Sequence, residues 1–183
     1  MFRLVAALVV CLLVAGCAAT RPDDPNFIPE RAAADCRQVY AAAKLVPDPN
    51  TGWTEMYGPV VTRRGDHATV AYAAFTRVAE GRTTYLVQVQ GRFPKRVYLG
   101  DVYSAGARLK SRVVDRERIY CGYDCTTVET VEIEATQVEM EGWAANGLSL
   151  EVRGRRDSIT AAIPAAYLAA VLAFHRDHAG KPR

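Results

Sequence analysis

Three observations predict an α+β domain built on a mostly antiparallel sheet or sandwich of about seven strands. Apolar and polar residues alternate in several short segments. Turn residues separate those segments at close intervals. A helical repeat stands at each end, and the two helices are expected to pack on the sheet.

The first helix is expected over residues 30–45. Pro29 suits a first turn, Glu30 favours the positive end of the helix, and alanines fill the interior. Cys36, Val39, Tyr40 and Ala43 recur at i, i+3, i+4 and i+7, a stripe that should lie on the sheet. Pro47, Pro49 and Gly52 then read as a loop. Strands are expected at Pro59 to Arg64, ending in the turn Arg64-Gly65-Asp66, and at His67 to Phe75. Thr83 to Phe93 is clearer: Tyr85, Val87, Val89 and Phe93 face one way, while Thr84, Gln88, Gln90 and Arg92 face the other. Glu80-Gly81-Arg82 reads as the hairpin connection before it. Arg96 to Tyr103 and Ala107 to Val114 follow as strands. Thr126 to Ala135 turns Val131, Ile133 and Ala135 inward. Gln137 to Trp143 fits either a strand or a short helix. Asn146-Gly147 is a turn signal ahead of Leu148, Leu150 and Val152, which alternate cleanly with Ser149, Glu151 and Arg153. Ser158 to Ile163 is the last expected strand. Pro164 opens the closing helix, which runs to about His178 and shows Leu168, Val171, Leu172 and His175 on one face.

The first 17 residues belong to a different kind of segment. Arg3 supplies a positive start. Leu4 to Ala15 form an apolar run of signal-peptide length, too short to span a bilayer. Val14-Ala15-Gly16-Cys17 resembles the lipobox of bacterial lipoproteins. The resemblance implies removal of residues 1–16, lipidation of Cys17 on its thiol and acylation of its new amine. Ala18, rather than Asp, follows the cysteine, which by the same analogy favours the outer membrane, facing the periplasm. A secretory signal cut at an A-x-A-like site is the competing reading. Residues 17–29 are then a flexible tether rich in proline, 30–179 a single globular domain, and 180–183 a tail.

Removing 16 of 183 residues leaves 167, enough for one domain with its own core. The net charge of +3 falls to +2 without Arg3, which argues against a nucleic-acid binder. Of five cysteines, Cys11 leaves with the signal and Cys17 carries lipid. Cys36, Cys121 and Cys125 remain, in an oxidising compartment where a disulfide joins two of them. The reading favours Cys121–Cys125, set opposite each other at the mouth of a hairpin with Gly122-Tyr123-Asp124 as its loop. Closing so short a loop stabilises only about 2 kcal/mol in the chain-entropy model. Cys36, expected as a buried thiol, competes as a partner for either cysteine. Redox exchange at Cys121/Cys125 is the alternative, but redox dithiols favour C-x-x-C at a helix N-terminus.

Other constellations are weaker. His175 and His178 stand three apart on a helix, a spacing that can ligate metal, but the favoured reading is that they suit the negative end of the helix dipole. Ser104, His67 and Asp101 compose a triad only on paper, without a G-x-S-x-G context. No catalytic residue, cofactor or metal site is assigned. Arg108, Lys110 and Arg112 form a basic ridge; the reading favours cross-strand pairing with Glu132 and Glu134, with contact to anionic envelope polymers or lipid headgroups as the functional alternative. Trp53, Tyr57, Tyr123 and Trp143 would make a partner patch if exposed together; buried separately they are core, which is the favoured reading.

The expectation is a membrane-tethered envelope lipoprotein that binds or supports another envelope component without catalysis. An envelope enzyme, thiol-redox or hydrolytic, is the alternative.

Overall fold

The structure, a computed structural model, describes residues 27–65, 67–121 and 124–179, without the side chains of residues 120, 121, 124 and 125. It is an α+β fold in which the described residues form one eight-stranded sheet, one four-stranded sheet and three α-helices.

The chain enters through β1 (Phe27–Pro29), inside the segment read as tether. A 3-10 turn (Glu30–Ala34) and α1 (Cys36–Ala42) follow, then the short strands β2 (Lys44–Pro47) and β3 (Thr54–Tyr57). The single helix expected over 30–45 is therefore divided. Asp35 is the reason: its carboxylate accepts from the backbone N–H groups of Arg37 and Gln38, so it caps a new helix instead of continuing the old one. This places Cys36 at an exposed first position, not on a buried stripe.

The short β4 (Val60–Arg64) leads into the long antiparallel pair of the larger sheet, β5 (Thr69–Ala79) turning into β6 (Arg82–Phe93). The β5–β6 turn has positive φ at both Glu80 and Gly81, the twist that a two-residue hairpin needs. The strand expected over 96–103 shrinks to β7 (Asp101–Ser104). That expected over 107–114 splits between β8 (Ala107–Arg108) and β9 (Ser111–Cys121), which belong to different sheets. β10 (Asp124–Ala135) then pairs with both β9 and β6. Residues 137–143 resolve as helix, α2 (Gln137–Asn146), because Thr136 and Glu139 form a reciprocal capping box. β11 (Leu148–Arg153), β12 (Ser158–Ile163) and α3 (Ala165–His178) complete the chain.

The larger sheet runs β1-β4-β5-β6-β10-β9, with β3 also on β5 and β2 on β3. The smaller runs β12-β11-β7-β8. One face of the larger sheet, with Tyr72, Val87, Val89, Val131 and Ile133, packs in one core with Leu150, Val152 and Ile159 of the smaller sheet and Leu168 and Val171 of α3. β3 and β4 lie end to end along the same side of β5 and are joined through Gly58-Pro59. Tyr167, fully buried on α3, secures this joint: its hydroxyl donates to the Pro59 carbonyl at 2.7 Å and accepts from Ala74 N–H at 3.1 Å. Gly58 is required there, since a Cβ would lie 2.7 Å from that hydroxyl and 2.5 Å from Val171.

Candidate functional site

The basic ridge is ion-paired throughout. Arg112 forks onto Glu132 at 2.5 and 2.8 Å, and Gln88 donates to the same carboxylate at 2.9 Å. Lys110 reaches Glu134 at 2.8 Å. Arg108, the third member, pairs with Asp101 at 2.5 Å within the smaller sheet, because the chain changes sheets between β8 and β9. Glu132 is only 3% exposed, so its pair with Arg112 is part of the fold; the Lys110 pair is largely solvated.

The histidines also serve the fold. His175 is buried, with Nδ1 3.0 Å from Thr76 Oγ1 and its ring edge-on to Tyr85. Burial, with a smaller contribution from the Arg176 charge, holds it below the ordinary imidazole value. His178 stacks on Phe174, and its Nδ1 lies 2.7 Å from the Phe174 carbonyl oxygen. His67 lies in the β4–β5 turn of the larger sheet, whereas Asp101 and Ser104 lie on β7 of the smaller, where Arg108 holds the Asp101 carboxylate. Among the described residues no group of three His, Cys, Asp or Glu is placed to hold a metal ion.

At the thiols the backbone register pairs Cys121 with Asp124 and Cys125 with Tyr120, so Asp124 belongs to a strand rather than a loop and the two cysteines are not directly opposite. The Cys121–Cys125 side chains, like Tyr123 and Cys17, lie outside the described residues.

The aromatic residues give the most developed surface feature. Trp53 and Tyr57 come together around Arg77, which lies 4.4 Å from the Trp53 ring centroid and pairs with Glu55 at 2.6 Å. Tyr57 stacks on Phe75 and donates its hydroxyl to Glu55; burial foremost, then that carboxylate, raises its pKa. A turn built on Asp48 holds Trp53 in place: its carboxylate accepts from Asn50 N–H and the Thr51 hydroxyl, and its backbone N–H donates to the Trp53 carbonyl. Beside Trp53 an open cleft of about 450 Å³ is lined by Arg77, Arg82 and Thr84. Trp143 is separate, partly buried against the core on α2.

Trp53 closes one edge of the larger sheet. Lys44 is opposite Tyr57 and Phe27 is opposite Val60, so β2 and β1 follow one another along the outer side of β3 and β4. Phe27, Leu45, Val46 and Trp53 are 51, 37, 43 and 37% exposed, four of the seven large apolar side chains exposed among the described residues. The sequence shows no period there, because the strands are three and four residues long.

A buried carboxylate was also missed. Glu129 is fully buried and accepts from the backbone N–H groups of Val97 (2.8 Å), Tyr98 (3.0 Å) and Leu99 (2.6 Å), with Arg116 Nε 3.7 Å away. It draws in the segment between the two sheets and thereby erases the strand expected there. Its parity with Val131, Ile133 and Ala135 was the available signal that it points inward.

No family model, curated protein or solved structure matches the chain. No helix among the described residues is long and apolar enough to cross a membrane.

Proposed function

We propose that the chain is a bacterial envelope lipoprotein, lipidated at Cys17 and held at the outer membrane facing the periplasm, whose domain is a non-enzymatic binding or assembly module. The observation that carries this reading is the β1–β2 edge: apolar side chains stay exposed beside a cluster in which Arg77 packs on Trp53 and pairs with Glu55. The engagement of Arg108, Lys110, Arg112, Asp101 and His175 in fold contacts is consistent with it. Replacing Cys17 with Ser tests the anchor. The variant should leave the membrane fraction and lose lipid labelling; continued labelling would sink the assignment. Photocrosslinking in cells from position 45 or 53 tests the module. A reproducible envelope adduct from either position, missing when the crosslinker stands at Val138 on α2, supports the reading, and equal labelling from all three positions refutes it.

A further inference from the structure

We infer that the component met by this edge is the lipid surface itself: β1, β2 and Trp53 lie against the headgroups of the membrane that holds Cys17. The inference rests on the lipidation proposed above.

Chain length is the first argument. Phe27 begins the described fold, ten residue steps after Cys17. Ten steps of extended chain cover at most about 36 Å. A domain of this size is itself about 40 Å across. The edge that starts at Phe27 is therefore held within that reach of the anchor and is joined to it by fewer residues than any other described strand, while β9 lies at the other end of the strand order.

Side-chain chemistry is the second. Phe27 and Trp53 are residue types that settle at a bilayer interface. Lys44 stands in line between Phe27 and Leu45, where its stem can cover apolar surface and its ammonium reach a lipid phosphate. Such a contact stays at headgroup depth, because the free N–H and C=O groups of an edge strand need water or headgroups as partners.

The third argument separates a membrane from a protein strand. β1 ends in Pro29 and β2 in Pro47, each without a backbone donor. Strands this short and ended by proline are poor templates for an added strand. The edge offers side chains rather than a hydrogen-bonding ladder.

The chain has two tryptophans, one on this edge and one on α2, so it carries its own reporters. The lipidated protein, purified from membranes, is reconstituted into vesicles of phosphatidylethanolamine and phosphatidylglycerol with brominated acyl chains. With Trp143→Phe, the remaining Trp53 emission should fall about twofold relative to unbrominated vesicles. With Trp53→Phe, Trp143 emission should stay unchanged. Vesicles that float with the protein while Trp53 is unquenched, or while both tryptophans are quenched equally, would overturn the inference and leave the anchor intact. Failure to float at all would remove the anchor and the inference with it. Phe27→Ser with Val46→Ser, added to the Trp143→Phe background, should abolish the quenching without changing flotation or the circular dichroism spectrum. Persistent quenching in that variant would show that these side chains do not hold the edge down.

Discussion

The two ends of the larger sheet solve the edge-strand problem in opposite ways. At one end, β9 runs for eleven residues, and Arg112 to Arg118 are all exposed. It is guarded by charge and irregularity: Asp115 and Glu117 take one face, Arg116 and Arg118 the other, and the register shifts where Thr130 gives way to Val131. Antiparallel pairing of two such edges would set like charges against each other. At the opposite end, β1 and β2 are short and stop at proline, but their side chains are apolar and open to solvent. One edge is blunted by side-chain charge. The other limits its backbone and keeps apolar side chains available, which teaches that the two parts of an edge, ladder and side chains, can be managed separately.

What stands behind the edges also differs, and mutation should show it. The β9 side depends on a buried charge. Glu129→Ala strands the N–H groups of Val97, Tyr98 and Leu99, and should cost about 3–5 kcal/mol, read from the urea midpoint. A loss near that of a surface residue would mean that the inter-sheet segment holds without its acceptor. Behind the β1–β2 edge the support is a neutral hydroxyl. Tyr167→Phe leaves Ala74 N–H and the Pro59 carbonyl without that partner, at a cost of about 1–3 kcal/mol.

Two arms of the basic ridge sharpen the contrast further. Arg112→Ala uncovers the buried Glu132 and should destabilise by about 1–2 kcal/mol, since the exposed guanidinium is partly screened. Lys110→Ala should lie within about 0.5 kcal/mol of the parent. Equal effects would show that burial of the carboxylate is not what distinguishes the pairs.

A pH titration addresses α3, which backs the β3–β4 joint. The groups facing His175 are Thr76 and Tyr85, with Arg176 adjacent on its own helix. Its folded pKa lies below the ordinary 6.5, so the unfolded chain takes up the proton first. The stability that neutral His175 contributes is complete above pH 6.5 and is lost as pH falls through the lower folded value. His175→Gln should remove that slope from thermal unfolding measured across the window; an unchanged slope would assign it to other groups. The smallest effect is expected at the apolar edge, where Phe27→Ser and Val46→Ser together should lower the unfolding free energy by no more than about 0.5 kcal/mol. A large loss would make the edge part of the core.

By itself the sequence determined the features carried by local pattern. The alternation of Tyr85, Val87 and Val89 and of Leu148, Leu150 and Val152 requires half-buried strands, and the stripe of Leu168, Val171 and Leu172 requires a helix on a core. Glu80-Gly81-Arg82 announced a hairpin; the structure tightened it to Glu80-Gly81, both at positive φ, with Arg82 already in β6. The possible pairing of Glu132 and Glu134 with the ridge followed from the same parity. Tertiary structure decided what parity and period do not encode. It selected Asp101 for Arg108, because a sheet change intervenes that no local residue announces. It turned residues 97–99 into a cradle, because three N–H groups met a carboxylate 30 or more positions away. It made strands of Phe27–Pro29 and Lys44–Pro47, too short for any period and stabilised only by the neighbours they reach through space. The apolar edge belongs to that second class: its residues are scattered from Phe27 to Trp53, and only long-range strand pairing sets them in line.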